Sequence, residues 1–433
     1  MSNSSSKSVH ILMIPFPASG HILPLLDLTH QLAIRGLQMT IFVTPKNLHY
    51  LNPLLSLHPS IETLVLPFPF HPSIPNGVEN LQDVTVDYLP QLVTALRELC
   101  DPISHWFQTH SSPPVAIIFD VLMSSFAHRL VPNLGVKRIV FCPINANALS
   151  SFWSNDIRNI TEFQRETRIK DQQSWGLVFN SFIELESEKF DLFVKLFMTH
   201  DRIWGVGPLL PIKAGPERGG ASSIPTEEVI TWLDSCRVDN SVVYVGFGSQ
   251  ITLNKIQMEA LAEALEKSGV KFIWVVKDPV KGGKDDDQSI VPIGFDDRVA
   301  GRGLVIRGWA PQSMILKHQA VGSYLTHLGW GSVLEGLLGE VLLLAWPMQA
   351  DHFFNAKQLV DELGVAIRVC EGLSTIPDST NLAQILKESV RENRPERISF
   401  MKLREKALNA IKEGGSSYKA LDDLARLIST LCL

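Results

Sequence analysis

The sequence predicts an α/β protein built from two doubly wound halves, each a parallel sheet covered by helices, and three observations carry that prediction. From Val9 the chain runs as apolar strand, glycine-containing turn, amphipathic helix and second strand, the order of a βαβ unit. A stretch without periodicity, GVGPLLPIKAGPERGGASSIPT from Gly205 to Thr226, has the Gly, Pro and Ser content of a linker. Beyond it the strand, turn, helix, strand pattern begins again. The length of 433 residues agrees, since one hydrophobic core rarely organises so long a chain.

In the first half VHILMIPF reads as a strand, PASGH as a turn, and ILPLLDLTHQLAIRG as a helix with apolar residues at helical spacing, stopped by Gly36. MTIFVTP, IETLVLPF, PVAIIFD, RIVFCPI and GLVFNSF read as further strands, with a helical pattern from Pro90 to Phe107 among them. In the second half SVVYVGFGS is a strand ending in a Gly-Ser turn, LNKIQMEALAEALEKSG a strongly periodic helix, and KFIWVVK the next strand. The charged segment KGGKDDDQ reads as a solvated loop. LVIRGW, VGSYLTH, a helix from Ser332 and VLLLAWP continue the alternation, and LAQILKESVREN and ALDDLARLISTL close the chain as helices. Open α/β sheets bind ligands outside the carboxyl ends of their strands, so a cleft between the halves is expected.

Composition narrows the function classes. Hydrophobic residues at 45 % and charged residues at 19 % describe an ordinary globular protein. A net charge of −6 without a Lys/Arg cluster argues against nucleic-acid binding. Cys100, Cys142, Cys236, Cys370 and Cys432 are scattered and lack C-x-x-C spacing, so neither a disulfide framework nor a zinc site is implied, and a reducing, cytoplasmic setting fits. The polar start MSNSSSKS precedes an apolar run too short for a signal peptide or a membrane span, so stable membrane insertion is not expected. G-x-G-x-x-G is absent after the first strand, as is the P-loop, which removes the usual support for a nicotinamide oxidoreductase or a P-loop enzyme.

One continuous segment, Trp309 to His352, concentrates the polar chemistry. Trp309 lies in a Trp-Ala-Pro-Gln turn, where a large indole is costly to expose without a ligand face to cover it. Ser249 follows Gly246-Phe247-Gly248, and His327-Leu328-Gly329-Trp330-Gly331-Ser332 opens a helix, so both offer groups to an anion such as a diphosphate without a metal. Each also admits a bland role: His327 as a packed core histidine, and Ser332 with Glu335 as a capping box. In the first half His21 lies in the turn after the first strand and Asp120 ends another, both at carboxyl edges where α/β active sites form. Asp120 could bond one ring nitrogen of His21 and leave the other free to take a proton, its bland role being that of an exposed strand-end carboxylate.

Across PFPASGHILPLLDLTHQL, LPFPFHPSIPNGVE, RIWGVGPLLPIKAG, SVVYVGFGSQI, LTHLGWGSVLEG, LLAWPMQADHFFN and AIKEGGSSYK the sequence resembles the plant family 1 UDP-sugar glycosyltransferases, and within them the flavonol 7-O-rhamnosyltransferases. The resemblance runs from the first strand to the last helix. It implies the GT-B architecture, two facing Rossmann-like domains, with an acceptor-binding domain over 1–225, a donor-binding domain over 226–417 and a final helix, about 418–433, packing back on the first. It implies inverting transfer from UDP-β-L-rhamnose to the 7-hydroxyl of a flavonol or flavonol 3-O-glycoside by a monomeric enzyme without a cofactor. His21 is then the general base, with Asp120 orienting it. Trp309 stacks on uracil, the Ala310 backbone pairs with its edge, and Gln312 and Glu335 hold the ribose. Ser249, His327 and Ser332 bind the diphosphate, while Trp330, Asp351 and His352 face the sugar. Pro143 and Ile144, after a first-half strand, are expected near the deoxy methyl end of that sugar, and Phe119, Phe126, Phe152 and Trp153 are candidates to line a pocket for a flat phenolic acceptor.

Three departures from the wider family stand out: Leu328 and Gly331 replace its Cys and Asn, and His352 its closing Gln. Gly331 leaves only backbone where a side chain normally helps to hold the donor. His352 exchanges a flexible amide for a ring with two distinct nitrogens, which changes the pattern of sugar hydroxyls it can pair. Such a His goes with galactose or other non-glucose donors in the wider family, and with rhamnose in the flavonol subgroup. The alternatives are a UDP-glucose- or UDP-galactose-dependent phenolic glycosyltransferase and, from another class, a silent nucleotide-sugar binder. The presence of His21 and Asp120 disfavours the silent binder.

Overall fold

The computed structural model describes residues 9–154, 168–211, 218–220, 222–277 and 290–431. The polar start, the charged segment at 281–288, part of the Gly/Pro-rich stretch and Cys432 lie outside the described residues. The chain divides into two compact units, one of Met1–Ile212 with Asn409–Leu433 and the other of Lys213–Leu408. The divisions thus fall at 212/213 and 408/409, against the expected 225/226 and 417/418.

The first unit holds a seven-stranded, wholly parallel sheet: β1 (His10–Ile14), β2 (Gln38–Val43), β3 (Glu62–Val65), β4 (Ala116–Asp120), β5 (Lys137–Cys142), β6 (Gly176–Phe179) and β7 (Ile203–Gly205), in the order β3-β2-β1-β4-β5-β6-β7. Every residue of β1 and β4 is buried, as expected of strands covered on both faces, which therefore read as continuous apolar runs. Alternation sorts their side chains: Leu12, Ile14, Ile117 and Phe119 join one core, and Ile11, Met13, Ala116 and Ile118 the other. Leu421, Leu424, Ala425 and Ile428 of the helix Ser416–Ser429 belong to the second of these cores. Trp204 Nε1 donates to Asp423 Oδ2 at 2.9 Å and Arg35 pairs with Asp422, which ties that last helix to the first unit.

The second unit repeats the winding over six parallel strands: β8 (Val242–Gly246), β9 (Lys271–Val276), β10 (Gly303–Arg307), β11 (Val321–Thr326), β12 (Leu342–Ala345) and β13 (Ala366–Arg368), ordered β10-β9-β8-β11-β12-β13. Both orders reverse direction once, between β1 and β4 and between β8 and β11. At such a switch point neighbouring loops leave the sheet in opposite directions and open a crevice at the carboxyl ends of the strands.

The expected helix over Pro90–Phe107 is two helices, Leu89–Leu96 and Cys100–Thr109, joined by a 3₁₀ turn at Arg97–Leu99. Pro102 has no N–H to donate to the carbonyl four residues earlier, so the helix restarts there. The helix expected from Ser332 begins at Trp330.

Candidate active site

In the first unit, α1 (Ser19–Ala33) starts directly after β1 and carries His21 in its first turn. Ile14 of β1 pairs with Phe119 of β4, which brings the loops of both strands to the same switch point. There His21 Nδ1–H donates to Asp120 Oδ2 at 2.8 Å. Asp120 has no exposed surface, and its other oxygen accepts the Leu122 N–H at 2.8 Å, so the carboxylate is held at both ends. The bond to Nδ1 fixes the tautomer and leaves the basic lone pair on Nε2, while His21 keeps 23 % of its side chain open to solvent. Phe16 meets the His21 ring edge-on at 5.6 Å and limits its swing.

Sequence reasoning missed a polar cluster at the start of α1. Gln82 Oε1 accepts from Ser19 Oγ at 2.6 Å and from Tyr50 Oη at 3.1 Å. A small apolar cavity lined by Pro15, Pro17, Ile22, Phe42 and Leu96 adjoins the start of α1. The aromatic residues expected to line the acceptor pocket divide. Phe119 and Phe126 have no exposed surface and form part of the core, Phe126 stacking on Phe42, and Trp153 is buried against Phe193 and Phe197. Their rings are spent on core packing, which corrects the expectation for these three. Phe152, 38 % exposed, presents surface.

Pro143 and Ile144 follow β5 at the carboxyl edge, Pro143 buried and Ile144 half-buried. The turn after them is braced by Glu186, whose buried carboxylate accepts the N–H groups of Ala146 and Asn147 at 3.0 and 2.8 Å and the Ser181 hydroxyl at 2.5 Å. An anion at that helix N-terminus is favoured by the unpaired amides and the dipole.

In the second unit the turn after β8 and the turn after β11 lie side by side, since Gly246 pairs with Thr326. Gly248 and Gly329 both pack on the His327 ring, where an added Cβ would stand 2.6 and 2.5 Å from its atoms, so only glycine admits this approach. Leu328 turns the chain in the left-handed region at φ 63°, costly for a branched residue, and its carbonyl is tied down by Asn355 Nδ2 at 2.8 Å. The reward is a helix, Trp330–Gly339, whose N-terminal amides emerge beside His327 and next to the half-buried Ser249. Burial pushes the His327 imidazole down to about 4. It is therefore neutral at pH 7 and meets an anion as a hydrogen-bond donor.

The expected capping box is absent. The Ser332 and Tyr324 hydroxyls lie within hydrogen-bond distance of each other at 3.2 Å, and Glu335 accepts from Gln312 Nε2 at 2.5 Å and Ser313 Oγ at 2.7 Å. Gln312 Oε1 in turn accepts from Tyr244 Oη and Tyr324 Oη at 3.2 and 3.1 Å. Burial raises both tyrosines further above their ordinary range, so both remain donors. Gln312 and Glu335 thus form one oriented polar group, with Trp309 and the buried Ala310 three and two residues ahead of Gln312. After β12, Asp351 Oδ2 accepts from Asn355 Nδ2 at 2.7 Å. His352 Nδ1 accepts the Gln349 N–H at 3.2 Å, which puts the proton of its neutral ring on Nε2. Burial and the neighbouring His327 hold His352 well below the usual histidine range, and the two rings meet edge to face at 4.6 Å. Trp330 is buried, while Gly331 faces open space, with nothing within 4 Å of an added Cβ.

Residues 226–403 match the family described as UDP-glucoronosyl and UDP-glucosyl transferase. A flavonol 7-O-rhamnosyltransferase of Arabidopsis thaliana is 53 % identical over 441 residues, covering 100 % of both chains. The chain belongs to the UDP-glycosyltransferase family. A flavonol 3-O-glucosyltransferase of the same plant, UGT89B1, is 45 % identical over 475 residues, covering 100 % of this chain and 98 % of the other. The crystal structure of Arabidopsis thaliana UGT89C1 complexed with UDP-L-rhamnose superposes with a TM-score of 0.92 at 52 % identity over 98 % of this chain and 100 % of that one. The same protein complexed with quercetin gives 0.88 at 51 % identity, with the same coverage. This glycosyltransferase therefore has the GT-B fold, two Rossmann-like units. Among its described residues no helix is long and apolar enough to cross a membrane, and no group of three or more His, Cys, Asp or Glu is placed to hold a metal ion.

Proposed function

We propose that this UDP-glycosyltransferase moves L-rhamnose from UDP-β-L-rhamnose to the 7-hydroxyl of a flavonol or flavonol 3-O-glycoside with inversion of configuration. The His21–Asp120 pair carries the reading: a buried carboxylate 2.8 Å from Nδ1 is the arrangement a general base needs. His21 Nε2 takes the phenolic proton. The phenolate oxygen attacks the anomeric carbon from the face opposite UDP, and the bond from that carbon to the diphosphate oxygen breaks with its electron pair leaving on UDP. A β-L-rhamnosyl donor thus gives an α-L-rhamnoside, and the imidazolium returns its proton to solvent.

We assign the donor to the second unit. Trp309 stacks on uracil, Ala310 pairs with its edge, and Gln312 with Glu335 holds the ribose. Ser249, His327, Ser332 and the amides around Gly331 take the diphosphate, whose charge they meet as fixed dipoles. Trp330, Asp351 and His352 face the sugar, with His352 Nε2–H as donor. Phe152 provides acceptor surface. The full-length relationship to a flavonol 7-O-rhamnosyltransferase and to a protein crystallised with UDP-L-rhamnose supports rhamnose over glucose. The catalyst is a cytoplasmic monomer that needs neither cofactor nor nucleic-acid partner, in keeping with its charge of −6 and with the cysteines Cys100, Cys142, Cys236 and Cys370, all free among the described residues.

The test offers the purified protein UDP-rhamnose, UDP-glucose and UDP-galactose with a kaempferol 3-O-glycoside and locates any new sugar by NMR. An α-rhamnosyl unit on the 7-oxygen is expected. A glucoside as the only product would move the assignment to the glucosyltransferase side of the family, where the 45 %-identical relative lies.

A further inference from the structure

Arg218 touches two parts of the nucleoside subsite at once. Its main-chain carbonyl accepts the Trp309 Nε1–H at 3.2 Å, and its guanidinium lies against Glu335, with Nε 3.7 Å from Oε1. Both side chains are largely withdrawn from water, at 17 % and 25 % exposed. Ser223 closes the same clasp on the main chain: its N–H donates to Trp309 O at 2.8 Å and its hydroxyl accepts the Trp309 N–H at 2.7 Å. Gly220 between them lies over the indole, where an added Cβ would stand 3.6 Å from Cγ and Cδ2. Three hydrogen bonds and one ionic contact thus fasten this short strap to the platform for the base and to the acceptor for the ribose.

The electrostatic partner matters because Glu335 is otherwise held by neutral donors alone, Gln312 Nε2 on one oxygen and Ser313 Oγ on the other. A ribose offers two adjacent hydroxyls at a set distance from its base. Recognising both requires that the carboxylate and the indole keep one separation and one orientation. A residue bonded to each fixes that geometry before the ligand arrives.

We propose that Arg218 is a positioning residue for the donor nucleoside: with Ser223 it holds Trp309, and its guanidinium orients the Glu335 carboxylate toward the ribose hydroxyls. This rests on the reading of Glu335 as the ribose acceptor, so the experiment tests both. UDP and 2′-deoxy-UDP are titrated by calorimetry into the wild-type protein and into E335Q, R218A and R218K, with KM and kcat for the UDP-sugar measured alongside. E335Q is expected to weaken UDP about 10-fold and 2′-deoxy-UDP much less. R218A is expected to weaken UDP about 5-fold and 2′-deoxy-UDP less than about 2-fold, raising KM with little change in kcat. R218K recovers most of that loss, since a contact at 3.7 Å depends on charge more than on a forked hydrogen bond. If E335Q discriminates between the two nucleotides and R218A weakens both equally or neither, the positioning role is overturned while the ribose reading stands. If E335Q leaves UDP binding unchanged, the ribose reading falls and the proposal with it.

Discussion

The proposed choice of donor rests on single side chains. His352 presents a fixed donor, Nε2–H, because Nδ1 is taken by the Gln349 N–H and burial keeps the ring neutral. A glutamine there brings back an amide that donates and accepts. H352Q is expected to raise kcat/KM for UDP-glucose relative to UDP-rhamnose by about 10-fold or more, the scale set by leaving one buried polar group unpaired. An unchanged ratio in a competition assay would place selectivity elsewhere. Gly331 gives a second case: nothing lies within 4 Å of its Cβ position, so the backbone there has room for a side chain to begin. G331N is expected to tighten UDP binding about 3-fold by calorimetry, supplying an amide to the diphosphate and removing a helical glycine. That the rings of His327 and His352 come together was legible because both lie in one continuous motif. Phe119, Phe126 and Trp153 were not, because residue type does not tell a ring that lines a pocket from one that fills a core.

Elements place these side chains. The two strand-to-helix turns after β8 and β11 work as one piece around His327, so a methyl group on either glycine is a collision between rigid parts. G329A is expected to cost roughly 1–3 kcal/mol as overpacking, visible as a lowered melting temperature together with weaker UDP binding. A variant with wild-type values for both would mean that the turn adapts freely. Most strands could be read as buried apolar runs, but the three-residue β7 and β13 are too short to show a period. The strap at Arg218–Ser223 was read as linker composition, and its partners lie 91 and 86 residues along the chain, where local pattern carries no signal. The capping box between Ser332 and Glu335 does not form because the helix starts two residues earlier, with Gly329 as its N-cap, and the two side chains turn instead to Tyr324 and to Gln312 with Ser313.

At the scale of the whole molecule, the duplicated winding order and the last helix packed into the first unit set the architecture, and the restarted βαβ pattern announced the duplication. Stability inherits a pH dependence from the two buried imidazoles. In the unfolded chain each binds a proton near pH 6.5, whereas in the folded unit His327 does so only near 4 and His352 is also held well below 6.5. The unfolded state therefore holds more protons in that window. Stability is fully present above about pH 6.5 and falls as the pH drops toward 4, His327 alone contributing on the order of 3 kcal/mol. Denaturant midpoints measured between pH 7 and 4.5 are expected to fall, and to fall less steeply in H327N. A parallel decline in both proteins would assign the acid sensitivity to other groups. The proposed general base, His21, belongs to the first unit. The most direct test is H21A, measured for turnover with UDP-rhamnose and, on the same preparation, for UDP affinity by calorimetry. The expected result is turnover reduced about 10³-fold or more with the UDP dissociation constant within about 2-fold of wild type. Turnover within about 10-fold of wild type would remove His21 as the base.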